Sequence, residues 1–235
     1  SPTCCDNGRW NRKTITFPGF LKLAYLYPNR FSADKSIVRK YDIDPDKPYV
    51  LIRFAKLNAH HDKGVSGIST DIAQHLIDTL HPHGHIYITS ERELEPQFEP
   101  YRLHINPLDI HHIMAFATLY IGDSQSMAVE ASMLGTPAIR FNDFVGAKKI
   151  SVLEELEHQY GLTYAIPSVE PERLYQKIDE LLSMPNLKDE FQQRRQRMLK
   201  EKIDVTSFFT WFIEHYPDSV VETKQADKKF WEQFK

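Results

Sequence analysis

The sequence LYIGDSQSMAVEASMLGTPAIRF, at Leu119–Phe141, contains the repeating unit of an α/β fold. It predicts a short apolar strand at Leu119–Gly122 and a helix at Gln125–Leu134 that Gly135 ends. A second strand follows at Pro137–Phe141. A strand, a helix and another strand in this order form a βαβ unit, which requires a parallel sheet.

The same alternation extends along the chain on both sides of this unit. Strands are also predicted at Lys13–Phe17, Tyr49–Phe54, His85–Thr89 and Thr163–Ile166. Helices are predicted at Ser69–Leu80, Asp109–Ala117, Lys149–Tyr160, Pro171–Leu182, Leu187–Leu199 and Val205–His215. We therefore expect an α/β, Rossmann-like parallel sheet with helices on both faces and extra helices at the C-terminus. In such a sheet, ligands bind beyond the carboxyl ends of the strands.

Composition and charge exclude several classes of protein. Of the 235 residues, 41% are hydrophobic and 26% are charged, which is typical of a globular domain and not of a disordered chain. The net charge of −3 gives no general attraction to nucleic acid or to an anionic membrane. Cys4 and Cys5 are adjacent and are the only cysteines, so we expect no disulfide scaffold or structural zinc, and a cytoplasmic location. The longest apolar stretch, Ile113–Ile121, is too short to span a bilayer.

The first candidate site is the segment Ile121–Glu130, IGDSQSMAVE, where a strand runs into a helix. The unpaired amides of a helix start favour an anion, and Ser124 and Ser126 add hydroxyl donors for phosphate oxygens. Glu130 lies about one turn into the helix, where its carboxylate could accept hydrogen bonds from a ribose diol. The alternative is an ordinary N-cap at Ser124 and a solvated acid at Glu130.

Two further groups of polar residues follow predicted strands. The loop Arg53–Gly67 contains Arg53, Lys56, Asn58, His60, His61 and Asp62, and the segment Pro107–His112 contains Asp109, His111 and His112. We predict that Arg53 or Lys56 neutralises phosphate charge and that His60 and His61 act as proton-transfer groups or phosphate donors. Asp109, a predicted helix N-cap, would together with His111 orient a proton-transfer group. The alternatives are a solvated loop, and a helix cap followed by surface or packing histidines. None of these residues has metal-specific spacing, so we predict no metal.

Three segments resemble a bacterial and archaeal protein family that is grouped with GT-B glycosyltransferases and UDP-N-acetylglucosamine 2-epimerases. They are FAKLNAHHD at Phe54–Asp62, the segment Pro107–Phe141, and KIDVTSFFTWFIEHYP at Lys202–Pro217. The resemblance extends from about Thr14 to Pro217. In the wider group, a C-terminal Rossmann-like domain binds the nucleotide of a sugar nucleotide, and the reaction takes place in a cleft between two such domains.

The signature of that group is similar to D-S-G-G-x-x-x-E before a helix, followed by L-G-x-P. The matching residues here are Asp123–Glu130 and Leu134–Pro137. The resemblance implies that Ser124 and the amides of Gln125 and Ser126 bind diphosphate, that Glu130 binds ribose, and that Asn58 and its loop face the diphosphate. Two signature glycines are replaced by Gln125 and Ser126, and glycine allows the closest backbone approach to phosphate.

The resemblance also implies a division of the chain. Residues 1–203 would form the nucleotide-sugar-binding domain, of which residues 1–13 are a remnant or linker of a missing N-terminal domain. Residues 204–235 would cross to that domain, although Val205–Phe212 could equally be an ordinary core-facing helix. Because the sequence starts without methionine, we expect it to begin inside a longer gene product.

The function implied by the resemblance is the nucleotide-diphosphate-sugar-binding half of a GT-B-type glycosyltransferase or UDP-sugar epimerase in surface polysaccharide synthesis. A UDP-sugar would be the substrate, no cofactor is expected, and the isolated fragment would be inactive. One alternative is a hydrolase built on the histidine and aspartate loops, with or without a metal. Another is a non-catalytic binding or assembly module whose nucleotide site has decayed. The sequence is compatible with a homo-oligomer.

Overall fold

Five parallel strands form the sheet of the domain, in the order β2-β1-β3-β4-β5. The structure is a computed structural model that describes residues 1–56, 67–144 and 150–235. The strands are β1 (Tyr49–Phe54), β2 (His85–Ser90), β3 (Leu119–Gly122), β4 (Ala138–Phe141) and β5 (Thr163–Ile166). The predicted α/β, Rossmann-like parallel sheet is confirmed.

Helices cover both faces of this sheet. They are α1 (Leu23–Leu26), α2 (Lys35–Arg39), α3 (Thr70–Leu80), α4 (Ile110–Phe116), α5 (Gln125–Leu134), α6 (Ser151–His158), α7 (Pro171–Leu182), α8 (Leu187–Glu201), α9 (Val205–Glu214), α10 (Asp218–Lys224) and α11 (Lys228–Glu232). Right-handed crossovers place α3 on one face and α4, α5 and α6 on the other. Helix α7 joins α3, since the rings of His75 and Tyr175 lie 3.9 Å apart.

The strand order reverses between β1 and β3. Strand β1 pairs with β2 on one side and with β3 on the other, so Arg53 is opposite both Thr89 and Gly122. The connection after β1 therefore leads to one side of the sheet, and the later connections lead to the other. Ligands of open α/β sheets bind at such a reversal, beyond the carboxyl ends of the strands.

Helix α5 is packed more deeply than the other helices of the described chain, because all residues from Ala128 to Leu134 are buried. Small residues allow this close approach, and the hydroxyl of Ser132 is satisfied by the carbonyl of Ala128 at 2.9 Å. Gly135 ends the helix in the left-handed conformation, with φ at +73°. A residue without a side chain adopts that conformation at least cost, as the sequence predicts.

The predicted strand at Lys13–Phe17 is wrong. Residues Gly8–Lys13 form a 3-10 helix, and Phe17 makes only an isolated bridge to Pro2. The run has strand-forming side chains, but no strand of the described residues pairs with it, and Phe17 instead packs against Phe208 of α9. The other predicted elements lie within a few residues of their predicted ends, although the predicted helix start at Lys149 is outside the described residues.

The C-terminal helices pack onto this chain. Gln192 and Arg195 of α8 donate hydrogen bonds to the carbonyls of Leu134 and Met133, at 2.9 and 2.6 Å, at the C-terminal end of α5. Thr206 of α9 donates to a carbonyl of α1 at 2.6 Å. That residues 204–235 also cross to another domain stays a prediction. In the part of the chain that the structure describes, no helix is long and apolar enough to cross a membrane.

Candidate functional site

The turn between β3 and α5 is fixed to the end of β1. The carboxylate of Asp123 is 1% exposed and accepts a hydrogen bond from the Ala55 amide at 2.6 Å. Burial raises the pKa of Asp123 to about 6, and the hydrogen bond from Ala55 opposes that rise. A Cβ on the preceding Gly122 would lie 2.5 Å from the hydroxyl of the buried Tyr120, so a side chain at this position would have to displace that ring. The turn therefore lies at the reversal of strand order in a defined conformation.

The predicted diphosphate residues lie together in the first turn of α5. Ser124 is the N-cap, and its hydroxyl accepts a hydrogen bond from the Met127 amide at 3.4 Å. Gln125 is half-buried and bonds to residues of β4 and its end, whereas Ser126 is exposed. The first turn of a helix leaves amides without partners inside the helix, so this turn offers donors to an anion.

Glu130 is buried rather than solvated, so the alternative of a solvated helix acid is wrong. One oxygen, Oε1, accepts hydrogen bonds from the Lys22 ammonium at 2.6 Å and the Tyr25 hydroxyl at 2.7 Å. The other, Oε2, lies 3.3 Å from Nε2 of His111. Burial by itself raises the pKa of Glu130, but His111, Lys22 and Tyr25 outweigh it and lower the pKa to about 2. Glu130 is therefore ionised at neutral pH.

Sequence reasoning missed Lys22 and Tyr25. They lie more than a hundred residues before Glu130, and no local pattern connects the two segments. The one signal in the sequence is that Lys22 and Tyr25 are three residues apart. In a helical turn this spacing puts both side chains on the same side, where they can contact one group.

Asp109 and His111, which the sequence predicts to act together, contact different residues in the structure. Asp109 occupies the N-cap position of α4 but makes no capping hydrogen bond; it accepts one from the Tyr41 hydroxyl at 2.6 Å. The side chain of Asn106 caps the preceding 3-10 turn instead. His111 faces Glu130. That Asp109 and His111 orient a proton-transfer group stays a prediction.

The polar loop after β1 is described only at its start. The guanidinium of Arg53 forms an ion pair with Glu91, whose other oxygen accepts the Lys56 amide at 3.2 Å. The Lys56 side chain is exposed, and Nε of Arg53 is buried without a hydrogen-bond partner among the described residues. The predicted residues Asn58, His60 and His61 lie outside the described residues.

A cleft of about 560 Å³ opens beyond the ends of β1 and β2. It is lined by Arg53, Thr89, Ser90, Arg102, Leu103, His104, Ile105, Pro107, Ile110 and Met127. Its volume and its mixture of apolar and polar walls are typical of sites for small molecules. Met127 belongs to α5, three residues before Glu130, but Glu130 is not among the residues that line the cleft. Among the described residues, no group of three or more His, Cys, Asp or Glu side chains is arranged to hold a metal ion.

Comparison with solved structures finds similar folds at low sequence identity. S. aureus MnaA, in a co-structure with UDP, matches 92% of this chain and 57% of its own at 15% identity, with a TM-score of 0.55. The wall teichoic acid polymerase TagF, as the H444N variant with CDPG, matches 89% of this chain and 53% of its own at 14% identity, with a TM-score of 0.51. The chain is a Rossmann-like half domain of the GT-B fold.

The GT-B half domain also matches the spinosyn forosaminyltransferase SpnP. The two align over 85% of this chain and 49% of SpnP at 15% identity, with a TM-score of 0.50. The half domain thus spans about half the length of these solved structures. No protein-family model and no curated protein matches the sequence.

Proposed function

We propose that this GT-B half domain binds the nucleotide diphosphate of a sugar nucleotide as the C-terminal half of a glycosyltransferase or UDP-sugar epimerase. One observation carries the proposal. The first turn of α5 lies at the reversal of strand order, beside a cleft of nucleoside size whose wall includes Met127 of the same helix. The solved structures of MnaA with UDP and of TagF with CDPG, which share the fold, support it.

The diphosphate would bind at the first turn of α5. The amides of Gln125 and Ser126 would donate to phosphate oxygens, and the hydroxyls of Ser124 and Ser126 would add two further donors. The positive end of the helix dipole favours the same anion. Arg53 or Lys56 would supply the positive charge that neutralises the diphosphate. Arg53 would first have to break its ion pair with Glu91.

The nucleoside would occupy the cleft, with its ribose towards Glu130. The pKa of about 2 keeps Glu130 a carboxylate, which accepts hydrogen bonds from two neighbouring hydroxyl groups. Lys22 and Tyr25 hold Oε1, so Oε2, which lies 3.3 Å from Nε2 of His111, is the oxygen that would turn to the ligand. The apolar side chains of Ile110 and Met127 would contact the flat faces of the nucleoside.

The reaction would be glycosyl transfer or epimerisation with departure of the nucleotide diphosphate. Fixed helix-end donors stabilise the negative charge that develops on this leaving group. His60, His61, Asp109 and His111 are the proposed proton-transfer groups. The other half of the enzyme would supply the acceptor, and this half alone would bind nucleotide weakly and turn over nothing. We place the whole enzyme in cytoplasmic synthesis of a surface polysaccharide.

A thermal-shift panel of UDP, GDP, ADP, CMP and UDP-sugars tests the proposed function. A ligand at about 100 times its Kd adds roughly 2.7 kcal/mol, which raises the melting temperature of a domain of this size by about 5–10 °C. We expect such a rise with UDP and UDP-sugars and none with CMP. If no nucleotide raises the melting temperature at any concentration tested, the proposed function is wrong for this chain.

A further inference from the structure

We infer that Gln125 is a positioning residue that holds the first turn of α5 in its anion-binding geometry. The inference rests on the proposed function and concerns the position where the signature of the resembled group has glycine. Gln125 is the first residue of α5, so its own amide is one of the donors of the proposed diphosphate site.

The side chain of Gln125 is held at the end of β4. Nη1 of Arg140 donates to Oε1 of Gln125 at 3.0 Å, and Nε2 of Gln125 donates to Oδ1 of Asn142 at 3.3 Å. Both groups of the amide are therefore used. These two bonds direct the side chain along the edge of the sheet. The side chain therefore does not need to cover the backbone amides at the start of α5.

The residues that hold Gln125 are themselves fixed. Arg140 is 4% exposed and donates through Nη2 to Glu157 at 2.8 Å, and Glu157 also accepts the Ala165 amide of β5 at 3.1 Å. Asn142 is fully buried and donates to the carbonyl of Asp123 at 3.0 Å. A continuous polar network thus connects β5, β4 and the turn before α5.

A separate observation concerns the buried side of the same turn. The hydroxyl of Tyr120 is fully buried against Gly122 and has no hydrogen-bond partner among the residues that the structure describes. A buried donor without a partner costs free energy, and it lies at the same turn as the amides of Gln125 and Ser126.

Calorimetric titration of UDP and of uridine tests the inference with two variants of Gln125. Gln125→Leu keeps the volume and removes both hydrogen bonds, whereas Gln125→Ala also removes the bulk. The matched control is Gln192→Leu, because Gln192 bonds to carbonyls at the opposite end of the same helix. Melting temperatures establish that each variant is folded.

We expect both Gln125 variants to bind UDP about tenfold more weakly, with uridine affinity unchanged. Gln192→Leu should lower the melting temperature and leave the ratio of UDP to uridine affinity unchanged. If the Gln125 variants also have a lower melting temperature and an unchanged ratio of UDP to uridine affinity, the role of Gln125 is purely structural and the inference is wrong. Tighter UDP binding by Gln125→Ala would overturn it too, because the side chain would then obstruct the site. If the unmodified protein does not prefer UDP to uridine, the proposed diphosphate site fails, and the inference fails with it.

Discussion

Replacement of Asp204 by alanine is expected to lower the free energy of unfolding by about 3 kcal/mol. Asp204 is 1% exposed and is the N-cap of α9, where it accepts the amides of Thr206 and Ser207 at 3.0 and 3.1 Å. It also accepts hydrogen bonds from Nε of Arg30 and from the side-chain Nδ2 of Asn29, both at 3.0 Å. Truncation removes the cap and leaves these donors without their carboxylate.

Urea unfolding followed by circular dichroism measures this loss, with Asp227→Ala as the matched control. Asp227 is also a helix N-cap, but it is exposed and caps the short helix α11 through one amide. We expect the control to lose at most about 1 kcal/mol.

Hydrogen bonds from Arg30, Asn29 and Ser207 overcome the effect of burial and hold the pKa of Asp204 well below its usual 3.8. The stabilisation is therefore present above pH 3.8 and is lost on acidification. Equal losses in the two variants at neutral pH would contradict this account of α9.

Glu130→Gln is expected to abolish detectable UDP binding and to lower the free energy of unfolding by about 2 kcal/mol at pH 7. The substitution keeps the shape of the side chain and removes the charge that holds Lys22 and faces His111. Because the pKa of the folded state, about 2, is below the ordinary 4.5, the stabilisation is present above pH 4.5 and is lost as the pH falls towards 2.

The control for this variant is Glu155→Gln, which breaks another buried ion pair, between Glu155 and Lys202. It should lose similar stability without changing the Kd for UDP, measured by calorimetry. Unchanged UDP affinity in Glu130→Gln would show that Glu130 has a structural role only, and the proposed ribose contact would then be wrong.

The strands and helices that form the sheet could be predicted from the sequence because each has a local signal. Buried parallel strands are short apolar runs, and the Ser69 and Gly135 signals mark the ends of α3 and α5. The segment Lys13–Phe17 has the same kind of run, but a strand also needs a partner, and partners are set by tertiary structure.

The candidate site could be predicted only in part. The first turn of α5 is contiguous in sequence, so Ser124, Gln125 and Ser126 could be predicted together as one group. The partners of Glu130 and Gln125 come from other segments, and their pairing depends on packing that a single sequence does not show. The position of Glu130 could therefore be predicted, whereas its burial and its low pKa could not.

Hydrogen–deuterium exchange with and without saturating UDP tests the central claim most directly. The claim is that a nucleotide diphosphate binds at the amides of the first turn of α5. We predict that UDP slows exchange in peptides covering residues 119–130, and that uridine slows it less. The contradicting result is bound UDP that leaves exchange in this segment unchanged and slows it elsewhere, since the diphosphate would then lie away from α5.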